Sequence, residues 1–263
     1  MKKAIALFLA LSLALPLSGC ARNAPWRFEL DTRRDADDRI ARDGTLLSWY
    51  SYELPYLRLL NADAAPNEQP PEAMAAVRDA FNAEMEHYRA LLLDEYGEME
   101  QAAIAGRLDG AEGFAPTGNH VELAETYQSP RLLSVRMSGY ANWGGAYPWS
   151  AVRCWAFDLE AGKFVEWYDL AKDPDALRAA LAAEIERQAR EQGMDKGFYD
   201  SWEAEVDRFD GCDVYLGEDA LTVIFGEQLL GPHAAGMPEF TISYDGLSQY
   251  LSDYGRQLLK KEG

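Results

Sequence analysis

The amino-acid sequence predicts an α+β fold, an antiparallel β meander packed with a long N-terminal helix and two further helices. Three observations predict it. Met74, Val77, Phe81, Met85, Tyr88, Leu92, Tyr96, Met99 and Ala103 are spaced by three or four, the period of an amphipathic helix. From Asn119 onward the apolar period falls to two, which sends alternate side chains to opposite faces of a strand. Helix-like and strand-like segments are grouped rather than alternating, which separates α+β from a parallel α/β plan.

In chain order, the first element is not part of the fold. Lys2 and Lys3 precede the apolar run Ala4 to Leu17, broken only by Ser12 and Pro16. That run is too short to span ~30 Å of hydrocarbon as a helix, and it fits the apolar region of a signal peptide. It ends in Leu17-Ser18-Gly19-Cys20, which resembles the lipobox of bacterial lipoproteins. The resemblance implies cleavage before Cys20, acylation of its thiol, and anchoring to the outer face of a membrane. Residues 1–19 are therefore read as a signal peptide and 20–44 as a charged tether, with Arg33-Arg34-Asp35 and Asp37-Asp38-Arg39 and little periodic hydrophobicity. Asp31, Asp35, Asp37 and Asp38 lack the spacing and glycine of a calcium loop.

Residues 45–128 are read as a strand, the long helix and a second strand, and 129–263 as a C-terminal α+β region, the two forming one compact unit. Thr45 to Leu57 is apolar and aromatic, and Pro55 points to an edge or terminal strand. Pro66 to Pro71 is a turn. The helix follows, with a kink expected at Gly97 and an end at Gly106 and Gly110. His87 lies off its apolar stripe, with no His or Cys at metal spacing. Strands are expected at Val121 to Tyr127, Leu132 to Tyr140, Trp149 to Leu159 and Phe164 to Tyr168, the middle two joined by Asn142-Trp143-Gly144-Gly145-Ala146. Asp173-Pro174 opens a helix that runs to Gln192 and stops at Gly193. A short helix near Phe198 to Val206, strands at Val214 to Leu216, Ala220 to Phe225 and Phe240 to Ile242, and a helix from Tyr244 to Leu259 complete the chain.

Charge and cysteine usage narrow the function classes. The chain carries 44 acidic and 25 basic residues, and losing Lys2 and Lys3 takes its formal charge from −19 to −21. Such a field repels nucleic acid and attracts cationic partners. After Cys20 only Cys154 and Cys212 remain, both in expected strands of an exported protein. They are either a disulfide or two separately buried thiols.

Within Leu132 to Leu247 lie Ser134-Val135-Arg136-Met137-Ser138-Gly139-Tyr140, Gly144-Gly145-Ala146 and Phe157-Asp158-Leu159-Glu160-Ala161-Gly162-Lys163. Asp169-Leu170, Pro232-His233-Ala234-Ala235-Gly236 and Pro238-Glu239-Phe240-Thr241-Ile242 follow. In order and spacing this stretch resembles an extracytoplasmic domain family found in RsiV-type anti-sigma factors and beside the catalytic domain of PdaC-type peptidoglycan deacetylases. That family usually has His after Gly-Gly-Ala and Tyr after the later Pro; here those positions hold Tyr147 and His233. A reciprocal exchange implies that Tyr147 and His233 touch. The deacetylase domain, the sigma-binding segment and the transmembrane helix of those relatives have no counterpart in this sequence.

The residues show no nucleophile elbow, phosphate loop or zinc spacing, so no catalytic residue, metal or cofactor is expected. Asp207, Asp210 and Asp213 around Gly211 read as a turn with solvated carboxylates. Tyr140, Trp143, Tyr147, Trp149, Trp155, Trp167 and Tyr168 fall within 29 residues. They either fill the core or, in part, form an exposed recognition surface. The candidate ligand-binding residues are Trp143, Tyr147, Trp149 and His233. The expected function is a non-enzymatic binding or sensing module at the bacterial envelope. Its expected partners are membrane lipid through Cys20 and a cationic protein, with lysozyme suggested by the resemblance, or a cell-wall glycan. The rival is a peptidoglycan-directed enzyme accessory.

Overall fold

The computed structural model describes residues 26–65, 68–108, 114–145 and 147–260. The signal segment, Cys20, part of the Pro66 to Pro71 turn, Gly110 and Ala146 lie outside them.

A six-stranded sheet carries the molecule. Its strands are β1 (Arg27–Ile40), β2 (Leu46–Leu60), β3 (Thr117–Gln128), β4 (Leu132–Asn142), β5 (Trp149–Asp158) and β6 (Lys163–Val165), side by side in that order. The meander runs from β3 to β6. Between β2 and β3 the pairing is parallel, over Ser48 to Tyr52 against Thr117 to Val121. Parallel neighbours need a long crossover, and α1 (Glu72–Leu108) supplies it, continuing as helix through Gly97 and Gly106. Its apolar stripe packs on one sheet face: Phe81 and Met85 against Leu57, Leu133, Val135 and Phe157, and Leu92 against Tyr52, Val121 and Met137. Each fully buried side chain there is worth roughly 1.5–3 kcal/mol of transfer free energy.

The C-terminal layer holds a second sheet, β7 (Cys212–Leu216), β8 (Ala220–Phe225) and β9 (Glu239–Ser243), antiparallel in that order. Its Val223, Phe225 and Phe240 share a core with Leu177, Leu181 and Ile185 of α2 (Pro174–Gln192) and Val206 of α3 (Trp202–Arg208). The bounds of α2 follow from local chemistry. Asp173 accepts hydrogen bonds from the backbone of Asp175 and Ala176, Pro174 presets the first turn, and Gly193 closes the helix at φ 70°.

Four expectations are corrected. Most of the segment 20–44 is not a tether: Arg27 to Ile40 pair with Leu60 to Leu46 as a 14-residue edge strand. Arg33 pairs with Glu86, Arg89 with Asp35, and Arg39 with Glu100 at 2.9 Å, tying this strand to α1. Charge on both faces hides a strand from periodicity, and on an edge it also discourages pairing with other chains. Strand β2 is likewise internal rather than at an edge. Its Pro55 lies opposite Thr32 of β1 and beyond the end of the β3 pairing at Tyr52, on the stretch of β2 that has a strand partner on one side only. The expected helix from Tyr244 to Leu259 is two short ones, α4 (Tyr244–Leu247) and α5 (Asp253–Leu258). Between them the chain turns to pair Leu251 with Ala171, and Ser252 N–H donates to Leu170 O. Gly255 permits this approach, since a Cβ there would sit 2.4 Å from Leu170 O. The last expected meander strand also shortens, to Lys163–Val165, with a 3₁₀ turn at Trp167–Leu170.

The strand directions define two ends of the large sheet. Arg27, Leu60, Gln128, Leu132 and Asp158 lie at the end where the described chain begins. Ile40, Leu46, Thr117, Asn142 and Trp149 lie at the other.

Candidate functional site

Candidate residues collect at the far end. Strands β4 and β5 are paired up to Ala141 opposite Trp149, and the turn between them projects from that end. Asn142 Oδ1 accepts from Gly144 N–H at 2.9 Å, and Gly144 takes a φ of 80° that a side chain would resist. Trp143, Tyr147 and Trp149 are all exposed, Tyr147 by 72%, and so is Tyr140 of β4. Trp155 and Trp167 instead pack against the cores, so the aromatic run divides between the two roles.

His233 opens a 3₁₀ turn, His233–Ala235, and meets this surface. Its ring lies 5.2 Å from that of Tyr147, so the expected contact is present. Its Nδ1 lies 2.5 Å from Glu227 Oε1, in a pair whose carboxylate is 4% exposed and whose imidazole is 43% exposed. Glu227 Oε2 in turn accepts the backbone N–H of Ser150 at 2.8 Å. That N–H is available because β6 pairs with β5 only over Ala156 to Asp158, leaving the rest of the β5 edge without a strand partner. Asp213 caps the same edge at Cys154 N–H, at 2.7 Å. Gln228, next to Glu227, holds a φ of 62°, a strained conformation for a residue with a side chain. The carboxylate thus holds the imidazole beside Tyr147. Among the described residues no serine, threonine or cysteine is hydrogen-bonded to His233.

Beside this cluster, between α1 and β3 to β5, is a cavity of about 410 Å³. Trp149 stands at it, and Val121, Met137 and Leu92 belong to its apolar lining, whereas the Tyr140 ring packs on the opposite sheet face against Trp49 and His120. Asn119 also lines it, is only 2% exposed, and has a side-chain nitrogen with no partner. Its other amide atom lies 2.6 Å from Tyr52 Oη, which is 2.9 Å from Leu92 O. Periodicity marks Asn119 only as the start of a strand, and Glu227 is one acid among 44. Nothing local singles out either.

Cys154 and Cys212 are both free thiols, so of the two sequence readings the unbridged one holds, with both side chains half-buried. They line a polar cavity of about 210 Å³ with Asp213, Glu166 and Arg153. Burial pushes both thiols up, Cys212 to about 12, with the Asp213 charge adding to it. Burial also raises the Asp213 and Glu166 carboxyls, against the opposing pull of the Cys154 N–H on Asp213 and of Arg153 on both. Such thiols are poor nucleophiles and poor metal ligands. Among the described residues no three His, Cys, Asp or Glu side chains approach closely enough to hold a metal. No described helix is long and apolar enough to cross a membrane. Cys20 lies outside the described residues.

Residues 168–245 match a family described as "Protein of unknown function (DUF3298)". Two solved structures are similar over most of the chain. A member of the DUF3298 family from Bacteroides fragilis is 12% identical with a TM-score of 0.63, covering 88% of this chain and 96% of its own. A DUF3298 family protein from Pseudomonas aeruginosa is 18% identical with a TM-score of 0.51, covering 86% and 95%. At these identities the likeness is one of fold. No curated protein matches the chain.

Proposed function

We propose that the chain is a lipid-anchored, non-enzymatic binding module on the outer face of a bacterial membrane. Its ligand surface would be the end of the large sheet farthest from the anchor. The observation that carries the reading is the placement of the exposed aromatics. With Cys20 acylated, six residues lead to Trp26 and can reach at most ~20 Å, so the Arg27 end stays near the bilayer. Strand β1 then runs 14 residues away from it, about 46 Å at the usual rise, to the end that holds Trp149 and the Tyr147–His233 pair. Large aromatics that could have been buried are thus displayed where a soluble or cell-wall partner would arrive.

The charge of the mature chain supports a cationic protein as partner, and the RsiV-type resemblance suggests lysozyme. In that case affinity or on-rate falls steeply as salt rises past physiological strength, where the Debye length is about 8 Å. A second reading, a cell-wall glycan, is favoured by the aromatic-lined cavity, because flat rings offer faces to sugars. The test immobilises the lipidated protein on vesicles and passes lysozyme and purified cell-wall sacculi over it. Binding of either that falls by more than about 1 kcal/mol in Trp143→Ala or Trp149→Ala, with folding intact, supports the reading. Failure of both ligands, or binding indifferent to both substitutions, sinks it. Release of soluble sugar or peptide from sacculi overturns the non-enzymatic part.

A further inference from the structure

The cavity between α1 and the meander holds a polar group that the protein does not use. Asn119 is buried, and its amide presents two hydrogen-bonding atoms of opposite kind. Tyr52 Oη is within reach of both Leu92 O and Asn119, yet a hydroxyl has one proton to give. If that proton goes to Leu92 O, the Asn119 amide turns its nitrogen to Tyr52 and keeps its oxygen unmet. If it goes to Asn119, the nitrogen is the unmet atom. Either way one amide atom of a buried side chain lining the cavity lacks a protein partner. An unmet buried amide is destabilising, and a ligand that meets it removes that cost.

The surroundings say what kind of ligand would meet it. Val121 and Met137 are almost fully buried apolar floor, so a group reaching Asn119 must carry apolar surface as well as a hydrogen-bonding atom. At the cavity stands the exposed ring of Trp149, suited to the face of a flat, weakly polar ring. Glu95 and Arg153 contribute one charge of each sign, which favours a neutral ligand over an ion. The volume, about 410 Å³, falls in the usual range for a small-molecule site. A small acetamido group satisfies all of these: its methyl lies on the apolar floor, and its N–H and C=O answer either orientation of Asn119. A bare hydroxyl would answer Asn119 but not the floor.

We propose that this cavity takes one N-acetylated pyranose ring of a glycan, the acetamido group on Asn119 and the sugar face against Trp149. This rests on the glycan form of the binding reading above.

The test is calorimetric titration of the full-length protein in detergent with tri-N-acetylchitotriose, and with cellotriose as the same backbone lacking acetamido groups. Saturable binding of chitotriose is expected, with cellotriose at least about 10-fold weaker, because a site built around a polar group rejects an analogue that leaves it unmet. Ala151 is exposed and lines the cavity, so Ala151→Phe should fill the cavity from its rim without disturbing the core, and abolish binding. Asn119→Leu should weaken chitotriose by about 10-fold or more; if that variant fails to fold, Ala151→Phe alone decides the location. No chitotriose binding, equal binding of the two sugars, or binding indifferent to Ala151→Phe overturns the inference. Sacculi or lysozyme bound equally by wild type and Ala151→Phe, with no chitotriose binding, would leave the wider reading standing and remove only this site. Failure of the wild type to bind any of the three ligands would remove both.

Discussion

The two ends of the large sheet use the same chemical ingredient, a buried carboxylate, in opposite ways. At the near end Asp158, fully buried, accepts from Arg131 at 3.0 Å, from the Tyr254 hydroxyl at 3.0 Å, and from the backbone N–H groups of Glu160 and Ala161. Every partner is itself held in place; the Arg131 guanidinium even lies 5.4 Å over the Tyr254 ring. Burial alone would raise the Asp158 carboxyl, and these hydrogen bonds overcome it and hold the group below its ordinary 3.8. At the far end Glu227 is nearly as buried, but its network runs outward, through His233 to the exposed Tyr147. A carboxylate whose network closes on protein serves the fold, whereas one whose network ends at the surface positions groups for something else.

That contrast can be broken at several points. The largest effect is expected at Cys20, because the assignment of near and far ends rests on the anchor. Cys20→Ala should shift essentially all of the protein from the membrane fraction to unprocessed or soluble forms. Wild-type partitioning of the mutant would remove the membrane from the comparison.

Asp158→Ala comes next. It strands a partly buried guanidinium, a phenol and two backbone N–H groups, and should cost roughly 3–5 kcal/mol in denaturant unfolding. A loss under 1 kcal/mol would mean that the near-end node is not structural. The pH dependence carries a definite sign. A carboxyl whose folded value is depressed contributes stability that is present above about 3.8 and is lost as pH falls through the folded value. Asp213 and Glu166, raised by burial, act in the opposite sense and gain as pH falls. Asp158→Asn should therefore flatten the acid limb of the stability curve, and a limb as steep as that of the wild type would contradict the sign.

At the far end the effects should be smaller. Glu227→Ala leaves Ser150 N–H without its acceptor and His233 without the carboxylate beside it, and should cost about 1–3 kcal/mol. His233→Ala removes a half-exposed partner and should cost no more than about 1 kcal/mol. Thermal or denaturant unfolding checks both, and a larger loss in His233→Ala than in Glu227→Ala would reverse the hierarchy. The smallest effect is expected at the thiols. Cys154 and Cys212 should react slowly with thiol reagents in the native protein and both label after unfolding without reductant, because they are half-buried, raised in pKa and unbridged. Labelling of neither would show that they are joined.

What could be read from the residues alone follows the range of the forces involved. The long helix, the meander and α2 with its Asp173 cap and Gly193 stop were legible because periodicity, capping and turn chemistry act within a few residues. So was the Tyr147–His233 contact, through an exchange between two positions of a resembled family. Strand β1 was not, since its stability comes from β2 alongside and from ion pairs to α1 more than 50 positions away, while its own pattern is that of solvated charge. The parallel pairing of β2 with β3, the split of the last helix around Gly255, and the cavity at Asn119 were invisible for the same reason. A Glu227 or an Asn119 becomes distinctive only when the fold buries it, and burial is decided by residues far away in the chain. Sequence alone determined which segments are helix and which are strand for the most regular elements. Only the tertiary structure decided which polar groups are left facing an opening, because that depends on where every other hydrogen bond has gone.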